Sequence, residues 1–115
     1  AEVDRFIGRD AEMTALTQAV FGQVAAAGKP PVFLACLGAR RDFGAREMFV
    51  GALLGVGGIE HPASEGGTPE EIVAQVLASE ATFVILCSSA KVYAAQAVDV
   101  ARALKQAGVP TVYIA

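Results

Sequence analysis

The chain has 115 residues, 9 basic against 12 acidic, with a net charge of -3. Hydrophobic residues make up 54%, of which 23 are alanine, so the larger apolar types come to roughly a third of the chain, an ordinary core for one domain. The acidic balance argues against a nucleic-acid face, and a charge content of 18% with frequent β-branched residues argues against disorder.

The longest uncharged stretch, Met13 to Gly28, includes Thr14, Thr17, Gln18 and Gln23 and is too short and too polar to span a membrane. Glu2, Asp4 and Arg5 at the start do not read as a secretory signal, so a cytoplasmic protein is expected. Cys36 and Cys87 lie inside VFLACL and TFVILC, where reduced thiols serve as small hydrophobes.

In chain order, the first 30 residues read as one helix and connection. Met13, Leu16, Val20, Val24 and Ala27 form its stripe, and Gly28 and Pro30 stop it. Val32 to Leu37 is a fully apolar run between Pro31 and Gly38, a strand buried on both faces. Ala45, Met48, Phe49, Ala52 and Leu53 return to helical spacing, with Asp42 as the expected N-cap and Gly55, Gly57 and Gly58 as the stop. A short strand is expected around Ile59. Thr68, Pro69 and Glu71 then form a capping box for a helix that should bury Ile72, Val73, Val76 and Leu77. Phe83 to Cys87 is a second strong strand. Ser89 caps a long helix with the stripe Tyr93, Ala97, Val100, Leu104 and Ala107, and Thr111 to Ile114 begins a fourth strand.

Strands alternating with helices at this spacing predict an α/β fold, a doubly wound parallel sheet with helices on both faces. Such a sheet ordinarily closes with a fifth strand and a last helix, which this sequence is expected to lack. Ligands of open parallel sheets bind at the carboxyl ends of the strands. Three loops are eligible: Gly38 to Asp42, Pro62 to Thr68, and Ser88-Ser89. Arg40 and Arg41 at a helix start, with Arg46 a turn further on, either gather an anion or stand solvated and paired with Glu47. Glycine spacing for a dinucleotide or phosphate loop is missing. His61 has no neighbour at metal-ligand spacing, Glu70 and Glu71 are accounted for by the capping box, and neither Ser88 nor Ser89 has a histidine base. No catalytic residue and no metal ligand emerges.

From about Pro31 onward, VFLACLGARRDFGAREMFVGALLGVGGIE and TPEEIVAQVLASEATFVILCSSAKVYAAQAVDVARALKQAG resemble the cobalamin-binding domain of the acyl-CoA mutases, most closely the methylmalonyl-CoA mutase small subunits. In that family the loop after the first strand reads Asp-x-His-x-x-Gly, and its histidine binds the cobalt. A serine-rich turn after the third strand holds the cofactor's nucleotide tail. Here the first motif falls on Ala39, Arg41 and Gly44 and the second on Ser88, Ser89 and Ala90. A guanidinium offers no lone pair to a metal, so Arg41 cannot replace the histidine. Phe43 puts a ring where the family has a polar residue.

The resemblance therefore implies a degenerate cobalamin-binding-like domain in which Gly38, Arg41, Gly44, Ser88 and Ser89 are vestiges of the cofactor site. It implies no cofactor in this chain, adenosylcobalamin in a large catalytic subunit that interconverts methylmalonyl-CoA and succinyl-CoA, and a heterodimer with that subunit. Neither nucleic acid nor membrane is an expected partner. Two alternatives stay open: a cobalamin module without histidine ligation, using Gly44, Ser88 and Ser89, and a small anion or nucleotide binder using Arg40 and Arg41. The resemblance also implies a flavodoxin-like topology over residues 31–115, with the strand order, counted in the sequence, 2-1-3-4.

Overall fold

The computed structural model describes Arg5–Phe6 and residues 22–64 and 66–115. Strand β1 is Arg5–Phe6, and residues 22–26 are helical, α1. Then come β2 (Val32–Cys36), α2 (Arg40–Val56), α3 (Pro69–Ser79) and β3 (Phe83–Cys87). Ala90–Val92, a π-helical turn over Tyr93–Ala97 and Val98–Gln106 run on as one helix, α4, before β4 (Thr111–Ile114). All strand pairs are parallel, in the order β1-β4-β3-β2. Among the described residues no helix is long and apolar enough to cross a membrane.

Side-chain alternation in β2 builds the two cores. Val32, Leu34 and Cys36 face Val24, Phe43, Val50, Leu54 and Ile59, while Phe33, Ala35 and Leu37 face Ile72 and Val76 of α3 and Val100, Ala101 and Leu104 of α4. With α1 and α2 on one face and α3 and α4 on the other, the sheet is doubly wound, as the fully apolar strands require. Tyr113 closes the first core, stacked on Phe83 at 6.5 Å with its hydroxyl donating to the Gln23 side chain.

Several expectations are corrected. Arg5–Phe6 is not helical: it pairs with Tyr113 and Ile114 at the edge beyond β4, the place expected for a closing strand. Two residues are too few to carry a periodic signal. The remainder of the expected first helix before residue 22 lies outside the described residues. No strand forms at Ile59, whose amide closes the α2 terminus on the Leu54 carbonyl (3.0 Å). Residues 60–64 instead run beside β2 through the bonds Val32 N to Glu60 O, Leu34 N to Pro62 O and Ser64 N to Leu34 O, at 2.8 to 3.0 Å. Pro62 has no amide to offer an outer neighbour, which suits an edge. Counted with this segment, β2, β3 and β4 stand in the expected order.

Asp42 is not the N-cap of α2. The helix starts at Arg40 after Ala39, and Asp42 Oδ2 reaches back to accept from the Ala39 amide at 3.1 Å. The buried stripe of α2 is Phe43, Val50 and Leu54, with the half-buried Glu47 between them, whereas Ala45, Met48 and Ala52 face out. Leu77 and Ala107 are likewise exposed, Leu77 on the rim of a groove between α3 and α4.

Candidate functional site at the sheet crest

The three eligible loops do converge. Gly38 bridges Gly67, and Ser88 Oγ donates to the Leu37 carbonyl at 2.7 Å. At Gly66 a Cβ would stand 2.6 Å from the Gly38 carbonyl, with φ +89°, so only glycine lets these loops meet. Cys36 N donates to Ser64 Oγ at 2.8 Å, which ties the 60–64 segment to the end of β2.

The polar groups gathered there are turned upon one another. Ser88 is wholly buried, and its amide donates to the Tyr93 hydroxyl at 2.7 Å. That hydroxyl donates in turn to the Leu86 carbonyl at 3.2 Å. Burial, the largest influence, pushes the Tyr93 phenol up to about 12, which keeps it a neutral donor. Arg46 lies over the Tyr93 ring at 5.5 Å, with Nη1 3.5 Å from its oxygen and 2.6 Å from the Ala115 carbonyl. Beneath the crest Phe43 is fully buried, and Arg40 sits 5.4 Å over its ring.

Beside this network, the Cys36 thiol donates to Glu47 Oε2 at 3.0 Å. Its hydrogen bond with Cys87, burial and the Glu47 contact all push the thiol up. Both cysteines are free and buried. No group of three or more His, Cys, Asp or Glu able to hold a metal occurs among the described residues.

Of the residues singled out in the sequence, Gly38, Ser88 and Ser89 lie at the crest. Ser89 is spent as the N-cap of α4, accepting from the Val92 amide at 3.4 Å. Arg41 is exposed on the first turn of α2. At Gly44 a Cβ would meet only Arg40 Cγ, at 3.8 Å, so the fold itself does not demand glycine there. Sequence reasoning passed over Ser64 and treated Tyr93 as core alone. The pairing of a serine-rich turn with a tyrosine four residues past Ser89 was the available signal.

The side chains do not fit a histidine-ligated cobalamin. Arg41 has no lone pair for cobalt, Ala39 has no carboxylate, the Ser88 hydroxyl is committed to Leu37, and Phe43 and Tyr93 fill the space beneath the loops.

A parallel sheet in this order with helices on both faces defines a flavodoxin-like α/β domain. No protein-family model matches the chain. Over 86 residues it is 54% identical to the methylmalonyl-CoA mutase small subunit of Propionibacterium freudenreichii subsp. shermanii, covering 75% of this chain and 14% of that protein. Over 92 residues it is 41% identical to the methylmalonyl-CoA mutase small subunit of Streptomyces virginiae, covering 79% of this chain and 15% of that protein. The chain is thus a homologue of methylmalonyl-CoA mutase small subunits and spans about a seventh of their length.

Proposed function

We propose that this domain is a degenerate cobalamin-binding-like scaffold of a mutase small subunit. On this reading it carries no catalytic residue and holds no cofactor. It supports a large cytoplasmic subunit that binds adenosylcobalamin and interconverts methylmalonyl-CoA and succinyl-CoA. The observation that carries the reading is the closed crest, where Ser88, Tyr93 and Arg46 satisfy one another and the strand-end carbonyls. The same bonds speak against a nucleotide tail wrapped by Gly44, Ser88 and Ser89. An anion site at Arg40 and Arg41 is disfavoured because Arg40 is drawn over Phe43.

A visible-spectrum titration of the full-length small subunit with adenosylcobalamin and hydroxocobalamin tests this, with an Arg41→His, Ala39→Asp variant alongside. The expected result is no spectral change for the parent. Saturable binding by the parent overturns the scaffold reading, and binding gained only by the variant would show that the rest of the pocket can still open.

A further inference from the structure

In an open parallel sheet a ligand lies at the carboxyl ends of the strands, and in this domain a side chain of the protein itself lies there. Helical side chains lean toward the N-terminus of their helix, so Tyr93, at the end of the first turn of α4, reaches back over Ser88 and Ser89. Its hydroxyl meets three groups that would suit the hydroxyl of a bound molecule. The Ser88 amide donates to it at 2.7 Å, the Leu86 carbonyl accepts from it at 3.2 Å, and Arg46 Nη1 stands 3.5 Å away with the guanidinium over the ring. The Leu86 carbonyl also accepts from the Ala115 amide at 3.0 Å, and Arg46 also donates to the Ala115 carbonyl at 2.6 Å. Among the described residues the Ser88 amide has the phenol alone.

The helix departs from regular geometry at this same residue. Its course changes from α to π at Tyr93, and the π turn leaves Gln96 Oε1 buried with no partner among the described residues. Such turns are rare within α-helices and an orphaned buried oxygen costs stability, whereas the bonds of the Tyr93 hydroxyl are what the segment gains. Val92 completes the seal: at Gly38, where φ is +78°, a Cβ would stand 3.2 Å from Val92 Cγ2. We propose that Tyr93 is a resident plug whose ring and hydroxyl occupy the place of a ligand, so that the crest without them is a binding site for a small phenol-like molecule. This rests on the scaffold reading above and adds to it a bar to cofactor that is independent of the missing histidine. Restoring a histidine at position 41 would not open the crest while Tyr93 remains.

The test uses the full-length small subunit carrying Tyr93→Ala, which removes a volume of the shape of phenol and leaves a good helix former. Cavities cut into a packed interior take up small aromatic molecules, and phenol can restore the lost hydrogen bonds where benzene cannot. Phenol should raise the melting temperature of Tyr93→Ala saturably and bind at least about tenfold more tightly than benzene, with the parent unmoved by either. If Tyr93→Ala does not fold alone, its refolding yield with phenol or benzene present gives the same comparison. No saturable gain with phenol, benzene binding as tightly as phenol, or equal binding by the parent overturns the plug. The second arm is a visible-spectrum titration with hydroxocobalamin, in which the Arg41→His, Ala39→Asp variant with Tyr93 in place should stay silent. Binding by that variant overturns the plug and leaves the scaffold reading standing, whereas binding by the parent overturns both.

Discussion

Tyr93 does the most at the residue scale. Its hydroxyl accepts the Ser88 amide, donates to the Leu86 carbonyl and lies under Arg46, so one phenol satisfies the strand-end Ser88 amide and adds a second donor to the Leu86 carbonyl, which also accepts from the Ala115 amide. Tyr93→Phe should therefore destabilise the fold by about 1–2 kcal/mol, read as a shift in the urea midpoint. Because the phenol is raised from 10.0 to about 12, its contribution is fully present below pH 10 and is lost as pH climbs through 12. Phenolate absorbance from Tyr93 should consequently appear near that upper value; an ordinary titration near 10 would contradict the buried network. Cys36 and Cys87 make a second residue-scale prediction. With both thiols buried and Cys36 held in the protonated form, a thiol reagent at mildly alkaline pH should label neither in the native protein and both after unfolding. The apolar runs around these cysteines made their burial legible in the sequence, but the Glu47 contact was not, since it depends on which way α2 is turned.

That rotation belongs to the element scale. Reading α2 from hydrophobic spacing selected Ala45, Met48, Phe49, Ala52 and Leu53, because the true stripe is interrupted by Glu47 and the competing face is equally apolar. Periodicity cannot choose between two apolar faces, and only the sheet decides. The π turn at Tyr93–Ala97 was invisible for a related reason: it changes the register of α4 by an added residue per turn without any Pro or Gly to announce it. The start of helix α3 was legible, since capping depends on neighbours in sequence, although Leu77, expected on its buried face, is exposed. Thr68 Oγ1 accepts from the Glu71 amide at 3.2 Å, and Glu71 Oε1 accepts from the Thr68 amide at 3.1 Å. Thr68→Ala should cost about 1 kcal/mol in a denaturant titration. The bonds from Thr68 lower the Glu71 carboxyl below its ordinary 4.5. Their contribution is thus present above that value and fades as pH falls through the depressed one. Glu71→Gln should flatten that part of the acid limb, and an unchanged acid limb would show that the box adds nothing there.

At the scale of the molecule, alternation of strands and helices was enough to give the doubly wound sheet, because fully apolar strands must be covered on both faces. Its edges were less legible. β1 is two residues long, and the 60–64 segment is held by hydrogen bonds to β2 that no side-chain pattern encodes. The crest was found from topology, since the three loops follow strands of one parallel sheet. Its closure was not, because it depends on Ser88 and Tyr93 meeting in space.

The central proposal is that this sheet is a degenerate cofactor domain whose crest is filled by its own side chains. The most direct measurement is the cobalamin content of the assembled large and small subunits, followed by their separation. The account predicts a single cobalamin per pair, all of it leaving with the large subunit. A second cobalamin per pair, or cofactor retained by the small subunit through this domain, would contradict it.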